Sequence, residues 1–440
     1  MVLSLLGIVI GLVLMVILSY KGHSILWVAP LCAFVVAVFA LNAGLGDGRT
    51  LLTVYTEDYI GGLAEYLASW FPAFFLGAVY GKVMDLTGTA RSLGNALIRL
   101  IGPKYALLAV AVPCMLLTYG GISLFVVVFV MYPMGYAIYR EANIPRTLLP
   151  GAIAYGAFGI TMTCIPGTPQ IQNLIPAEYY GTTAMAAPGM SITAAVIIGG
   201  TGYLYLNRQI KKAKERGLGF TEDPKYRPED PDRTLPKGHW VTGVIPIVAV
   251  FLCLNVLDLG IVLSLLIAIV LCCLMNINQY RILPKAFSEG AVGSVGAIMN
   301  TSSAVGFGAV VKIVPGFTLL TKMLLNMPGS ILVSEAVATN VLAGATGSAS
   351  GGVSIALSAL SEKYLAAAAG TNITPEVLHR VAVLASGGLH MLPHNGALLT
   401  LLAVSHCTHK ESYKDICITC CVIPAVTSVL LAAVWGFVLR

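Results

Sequence analysis

Long apolar runs, separated by short polar or glycine- and proline-rich stretches, dominate the 440 residues. A helix that crosses a bilayer needs about 20 mostly apolar residues, and ten runs approach or exceed that length. We predict that they form spanning helices over residues 2–20, 24–44, 59–82, 148–176, 187–206, 241–257, 259–276, 291–312, 376–404 and 415–439. The pattern therefore predicts an all-α integral membrane protein.

Two further apolar regions are interrupted near their middle by small polar residues. Residues 105–139 contain Thr118–Ser123 between two apolar arms, and residues 330–365 contain Gly344–Gly352. Each apolar arm is too short to span a bilayer, which is typical of re-entrant hairpins. The alternative is that each region forms one long helix with flexible glycine residues in its middle. Because each region follows the third span of its half and precedes the fourth, we predict two repeats.

Basic residues provide an independent test of orientation. If each hairpin returns to its own side, each half has an odd number of crossings, so the second repeat is inverted. The polar segment 207–239 carries nine Lys and Arg residues, which the positive-inside rule places in the cytoplasm. All but six of the 26 basic residues then lie on the cytoplasmic side, the exceptions being Arg49, Lys312, Lys322, Lys363, Arg380 and Arg440. We expect a first repeat over 1–206, a cytoplasmic linker over 207–239 and a second repeat over 240–440.

Proline and glycine interrupt the fourth span of each repeat. The interruptions read TMTCIPGTPQ at 161–170 and SGGLHMLPHNG at 386–396. Non-helical backbone at membrane depth is tolerated only where protein or a water-filled cavity surrounds it. We therefore expect both breaks to form a site with the hairpin tips, where helix N-termini favour an anion. The alternative is that the small residues only allow close helix packing.

Hydroxyl, amide and glycine groups at the breaks and tips suit a small carboxylate that also bears a hydroxyl group. The candidate substrate-binding residues are Thr118, Gly120, Gly121, Ser123, Gly167, Thr168, Gln170, Asn173, Thr346, Gly347, Ser348, Ser350, His394 and Asn395. No arginine lies in either break, which argues against di- and tricarboxylates.

Three ionisable residues within apolar segments are candidates for proton coupling, namely His390, His394 and Glu335. Charge inside a membrane is costly, and histidine titrates near neutral pH. The alternative for the histidines is a neutral ring bound to a carbonyl that Pro393 leaves free. For Glu335 the alternative is a position at the outer interface.

Composition narrows the classes of function. Hydrophobic residues make up 57% of the chain and charged residues 10%, with a mean hydropathy of +0.84; soluble domains carry about 25% charged residues. The ten cysteines follow neither metal-binding nor disulfide spacing. The sequence contains no nucleotide-binding loop and no metalloprotease motif. We expect no enzymatic activity, cofactor, metal or nucleic-acid partner.

Three segments resemble the gluconate permease (GntP) family of bacterial transporters, and in particular its D-3-hydroxybutyrate branch. They are TCIPGTPQIQNLIP at 163–176, GATGSASGG at 344–352 and LPHNGALLTLLAVSHCTHKESYKDI at 392–416. The family belongs to a larger ion-transporter superfamily. The resemblance implies a homodimer in the bacterial cytoplasmic membrane, in which a transport region moves against a scaffold as an elevator. It also implies a substrate region at Thr118–Ser123, Gly167–Asn173, Thr346–Ser350 and His390–Asn395.

These features predict a secondary active transporter that imports a small hydroxy-monocarboxylate, such as 3-hydroxybutyrate, by proton symport. The PGTPQIQN sequence of the first break departs from the gluconate carriers, and the Ser-Asn-Thr sodium motifs of the dicarboxylate branch are missing from the chain. A sodium-coupled carrier of gluconate-like sugar acids or of another small organic anion is the alternative within this class. An anion channel is the alternative of another class, and it would conduct without accumulating its solute.

Overall fold

The computed structural model of the chain is built almost entirely of helices. It describes residues 1–21, 23–45, 48–122, 124–223, 239–325, 330–393 and 395–439. No β-strand occurs within those ranges. The main helices are α1 (Val2–Tyr20), α2 (Ile25–Asn42), α3 (Leu51–Leu86), α4 (Thr89–Ile101), α5 (Ala106–Tyr119), α6 (Leu124–Glu141), α7 (Leu149–Ala154), α8 (Ile171–Tyr180), α9 (Pro188–Glu215), α10 (Val241–Asn255), α11 (Gly260–Met275), α12 (Leu283–Ile313), α13 (Pro315–Leu325), α14 (Ile331–Thr346), α15 (Ala349–Ala368), α16 (Pro375–Ser386), α17 (Gly396–Val404) and α18 (His409–Val438).

Helices occupy all ten runs that the apolar pattern selects. Five of them, α2, α3, α9, α12 and α18, are long and apolar enough to cross a membrane by length and composition. Shorter apolar helices include α1, α5, α10, α11 and α14. The chain is a multi-pass membrane protein.

Two helices, α4 and α13, were not predicted. Each follows the third span of its half and precedes the hairpin. Their sequences, TARSLGNALIRLI and PGFTLLTKMLL, mix polar and apolar residues and are too short to span, so an apolar-run criterion passes over them.

The third spans, α3 and α12, pack against each other along much of their length. Gly290 near the start of α12 contacts the main chain of Val79 near the end of α3. Gly306 in the later part of α12 contacts Tyr59 in the early part of α3. The two helices are therefore antiparallel, and glycine lets their backbones approach closely.

Contacts between the halves are reciprocal. The start of α13 packs on the start of α1, where the Gly316 N–H donates to the Ser4 hydroxyl at 2.9 Å. The start of α4 packs on the start of α10, where the Thr89 and Thr242 hydroxyl oxygens lie 3.4 Å apart. In the same way α2 packs on α12, and α11 packs on α3.

The chain turns back on itself in both predicted tip segments. Helices α5 and α6 form one hairpin, and α14 and α15 form the other. Gly121 and Gly347 have positive φ angles of 83° and 60° at the two tips. A conformation of that kind favours glycine, because it lacks a Cβ atom.

The fourth span of each half is broken where proline and glycine predicted it. After α7, a wide helical turn over Tyr155–Thr161 leads into irregular backbone that ends where α8 begins at Ile171. After α16, irregular backbone with one short turn continues until α17 begins at Gly396.

The expected linker begins as a helix, because α9 continues to Glu215 through exposed turns rich in lysine. The following residues dock on the ends of α6 and α17. The buried Asp223 carboxylate lies 2.7 Å from His406 Nδ1 and 3.6 Å from the Arg146 guanidinium. The Asp223 N–H donates to the Tyr136 hydroxyl at 3.0 Å. The start of the linker is thus held by polar contacts, and residues 224–238 lie outside the described ranges.

We predict that Gly352→Ala destabilises the protein. A Cβ atom at Gly352 in α15 would overlap the main chain of Ala343 in α14, so the hairpin arms must separate. Overpacking of this kind costs roughly 1–3 kcal/mol. The thermal midpoint in detergent is expected to fall. Gly200→Ala in α9 is the matched control, because no atom lies within 4 Å of its added Cβ. An unchanged midpoint for Gly352→Ala would contradict the prediction.

Candidate functional site

A cavity of about 730 Å³ lies where the hairpins and breaks of both halves meet α3, α11 and α12. Residues from all four predicted site segments line it. From the predicted set these are Gly121, Gln170, Thr346, Gly347, Ser348, Ser350, His390 and Asn395. The structure therefore brings both halves together at one site.

Four helices begin at this cavity. The first residue of each lines it: Leu124 of α6, Ile171 of α8, Ala349 of α15 and Gly396 of α17. The first N–H groups of a helix have no partner within the helix, and its N-terminus carries partial positive charge. A cavity that collects four such ends favours a negatively charged ligand.

An amide side chain ties each break to the hairpin of its own half. In the first half, Gln170 Nε2 donates to the Thr118 carbonyl at 2.7 Å. In the second, Asn395 Nδ2 donates to the Gly347 carbonyl at 2.8 Å. Gln170 and Asn395 occupy the same place in the two breaks, immediately before α8 and α17. The position of each hairpin tip is thus coupled to the start of a helix.

Asn395 also organises its own break. Its Oδ1 accepts the Leu398 N–H at 2.8 Å and so caps α17, while its Nδ2 donates a second bond to the His390 carbonyl at 3.0 Å. Pro393 in the same segment has no N–H to offer. The Asn395 amide therefore supplies hydrogen bonds to main-chain carbonyls of the break and the hairpin tip, where the backbone is not α-helical.

The two breaks also contact each other. Gly387 lies directly against the Thr163 side chain, and any Cβ atom at position 387 would collide with it. Glycine at this crossing is required by the close approach of the two broken spans.

With the geometry established, similarity to known proteins becomes informative. The family model for GntP family permeases matches residues 3–257, which is more than half of the chain. The chain is also 37% identical to the uncharacterized transporter YxjC of Bacillus subtilis, over 99% of this chain and 98% of that protein. The chain belongs to the GntP permease family.

A second relative is the D-serine transporter DsdX of Escherichia coli. It is 30% identical over a shorter region, which covers 32% of this chain and 29% of DsdX. Both relatives are named as transporters, so this GntP permease is a transporter.

Solved transporter structures share the fold at low sequence identity. The YdaH transporter of Alcanivorax borkumensis superimposes with a TM-score of 0.59 at 15% identity, over 90% of this chain and 89% of that one. MtrF of Neisseria gonorrhoeae superimposes with a TM-score of 0.54 at 15% identity, over 99% of this chain and 96% of that one. Its structure is described as illuminating a class of antimetabolite efflux pumps. At this identity the likeness concerns the fold alone.

Several predicted residues lie behind the cavity wall. Thr118 and Thr168 are buried, and neither hydroxyl has a hydrogen-bond partner among the described residues. Gly120 packs on Ile247, and the Gly167 carbonyl accepts a bond from Asn255 at 3.0 Å. Ser123 and His394 lie outside the described residues.

Asn173 has a supporting position in the first turn of α8, directly after the first break. Its Nδ2 donates to the Thr168 and Ala184 carbonyls, both at 2.9 Å. Its Oδ1 accepts from Arg380 at 2.9 Å. Asn173 therefore links the break to α16 of the other half, and substrate contact by its side chain stays a prediction.

Arg380, one of the six basic residues predicted on the non-cytoplasmic side, is fully buried in the protein. Besides Asn173, its guanidinium donates to the Ala184 and Ala186 carbonyls at 2.8–3.1 Å. Within the described part of the chain these acceptors are all neutral. Carbonyls from the first half thus surround the guanidinium of a residue near the start of its span.

Glu335 is also buried and lies away from the cavity wall. One carboxyl oxygen is hydrogen-bonded to the Tyr180 hydroxyl of α8. The other has no partner among the described residues. The expected alternative of a position at the outer interface is therefore wrong for this side chain, while proton binding by Glu335 stays a prediction.

The sequence reasoning missed the polar face of α12. Ser294, Asn300 and Thr301 line the cavity together with glycines 290, 293 and 296. Small and polar residues at helical spacing inside an apolar span were the available signal. Lys82 of α3 and Glu289 of α12 also line the cavity and form an ion pair at 3.3 Å.

We predict that Asn395→Asp lowers substrate affinity at least about tenfold, which corresponds to a loss of about 1.4 kcal/mol of binding free energy. The aspartate retains the cap oxygen for Leu398 but turns negative charge toward the Gly347 and His390 carbonyls. Ligand binding and transport are the measurements. Gln279→Ala is the control, because its amide also donates to a carbonyl, that of Thr87, but lies outside the cavity. Equal affinity in wild type and Asn395→Asp would show that the amide is dispensable.

Proposed function

We propose that this GntP permease is a proton symporter that imports a small hydroxy-monocarboxylate, such as 3-hydroxybutyrate, across the bacterial cytoplasmic membrane. The observation that carries the proposal is the convergence of four helix N-termini on one cavity. Partial positive charges from helix ends bind an anion without any basic side chain.

The side chains around these helix ends support a singly charged, hydroxyl-bearing substrate. Gln170, Ser348, Ser350 and Asn395 offer neutral donors and acceptors. Among the described lining residues, Lys82 is the only lysine or arginine, and Glu289 already pairs with it. A second or third carboxylate would require further cationic partners.

The relatives support the substrate class in part. DsdX is named as a transporter of D-serine, which is a small carboxylate with a hydroxyl group. Its similarity covers about a third of the chain, so we extend to this protein only the chemical class. The choice of 3-hydroxybutyrate rests on the resemblance of the sequence motifs.

We infer further that residues 1–206 and 240–440 are inverted repeats joined by the linker. The antiparallel packing of α3 and α12, which are third spans of their halves, supports the inversion. The reciprocal contacts of α13 with α1 and of α4 with α10 support a two-fold relation. An elevator movement and a homodimer complete the proposal and rest on the family resemblance.

His390, His394 and Glu335 remain the candidates for proton coupling. His390 is the one that lines the cavity within the described residues. A group at the cavity can sense the substrate directly, whereas Glu335 would act through Tyr180 and α8.

The test is uptake of labelled 3-hydroxybutyrate into proteoliposomes under an inward proton gradient, with and without sodium. We expect accumulation above equilibrium that a protonophore abolishes. Unlabelled gluconate, lactate and serine, added as competitors, rank the substrate.

Other outcomes identify the alternatives. Accumulation driven by a sodium gradient at fixed pH would replace proton coupling with sodium coupling. Flux that equilibrates without accumulation under either gradient would favour the channel. The absence of labelled 3-hydroxybutyrate uptake under either gradient would reject 3-hydroxybutyrate as the substrate.

A further inference from the structure

His390 has a fixed position at the cavity. It lies in the short turn Leu389–Met391 between α16 and α17, and its side chain is 2% exposed. Its carbonyl oxygen accepts the Asn395 amide bond at 3.0 Å. The main chain that carries the ring is therefore held by the same residue that ties the break to the hairpin.

The imidazole itself lacks a partner. Neither ring nitrogen makes a hydrogen bond to any described residue; the main chain of Gly387 approaches the ring without meeting hydrogen-bond geometry. Leaving a buried polar group unpaired is energetically unfavourable. The residue also lines the cavity, so the unpaired imidazole lies beside the space that a ligand would occupy.

Among the described residues, no charged side chain pairs with the His390 ring. The elements packed around the turn are α14, α15, α16 and α18. The titratable groups that these elements and the cavity present include His23, Glu335, Tyr364, His379, Arg380, the thiols of Cys417, Cys420 and Cys421, and the pair Lys82 and Glu289. None of them is a hydrogen-bond or ion-pair partner of His390 in the described structure. A buried cation without a counter-ion is costly, so the empty site favours the neutral imidazole.

A carboxylate in the cavity shifts the protonation equilibrium of the imidazole toward its cationic form. An anion next to the ring stabilises the imidazolium, and the imidazolium in turn stabilises the anion. Linkage makes the two effects equal, so the anion and the proton strengthen each other's binding. One residue can thus make the transport of one species depend on the other.

We propose that His390 binds one proton when a monocarboxylate enters the cavity, and that this joint binding couples the two. The inference rests on the proposed function of monocarboxylate transport. The proton comes from water on the loading side and adds to a ring nitrogen, while the substrate remains a carboxylate; both leave on the opposite side. The loaded site gains no net charge, so translocation is electroneutral.

Glu335 is less suited to this role because it lies away from the cavity. A protonated Glu335 would also leave the charge of the bound anion uncompensated. A counter-ion for the bound carboxylate must be a group that becomes positively charged when it binds a proton. Histidine is such a group, and its ordinary titration range lies near neutral pH.

The experiment measures protons and ligand together on the purified full-length protein. 3-Hydroxybutyrate is added in weakly buffered solution with a pH indicator at about pH 7.5, above the ordinary range of histidine. We expect uptake approaching one proton per bound ligand. Apparent affinity should fall about tenfold for each pH unit above neutrality, as linkage to one proton requires.

Two variants separate the charge of the ring from its structural role. His390→Gln should bind more weakly, take up no proton and lose the pH dependence. His390→Arg carries a permanent charge and should bind without proton uptake. His406→Gln, which removes an imidazole outside the cavity, should behave like wild type. Size-exclusion profiles establish that each variant is folded.

The possible results discriminate among the hypotheses. Ligand binding with proton uptake that persists in His390→Gln would assign the proton to another group and overturn the inference. Wild-type binding without proton uptake would overturn it as well, while leaving monocarboxylate transport intact. No binding of 3-hydroxybutyrate, lactate or serine to the wild type would overturn the proposed function together with this inference.

Discussion

Two amide hydrogen bonds, from Gln170 to the Thr118 carbonyl and from Asn395 to the Gly347 carbonyl, are the constraint on which the site depends. Backbone that leaves helical geometry inside a low-dielectric medium must find partners elsewhere. Each amide supplies one and at the same time fixes the start of a helix beside the tip of a hairpin. Four helix ends can converge on a cavity only because their irregular leading segments are held in this way.

Much of this arrangement follows from local sequence. The proline and glycine residues of PGTPQ and LPHNG interrupt spans that are otherwise apolar, and Gly121 and Gly347 stand at the turns between the arms of the two hairpins. Proline and glycine determine the backbone conformation of their own segment and of the residues next to them. The breaks and hairpin turns therefore lie where the pattern predicts them.

Other features depend on contacts that a linear pattern does not contain. Arg380 lies near the beginning of an apolar span, yet its burial is decided by carbonyls at 184 and 186 of the other half. The cavity face of α12 also depends on tertiary contacts. Small polar residues within a span either pack against another helix or line a cavity, and the sequence of the span alone does not distinguish the two. Helices α4 and α13 escaped prediction since amphipathic helices of their length carry no spanning signal.

The distribution of partners between the halves has a consequence for how the protein is made. Asn173 finds the guanidinium of Arg380 only after a further 207 residues have been added to the chain. Until then the first broken span enters the membrane with polar groups whose permanent partners are still unsynthesised. The first half can therefore make this contact only after α16 has been synthesised. The contact between the halves is consequently a late event in synthesis, and a chain that ends after the linker lacks the guanidinium that Asn173, Ala184 and Ala186 surround.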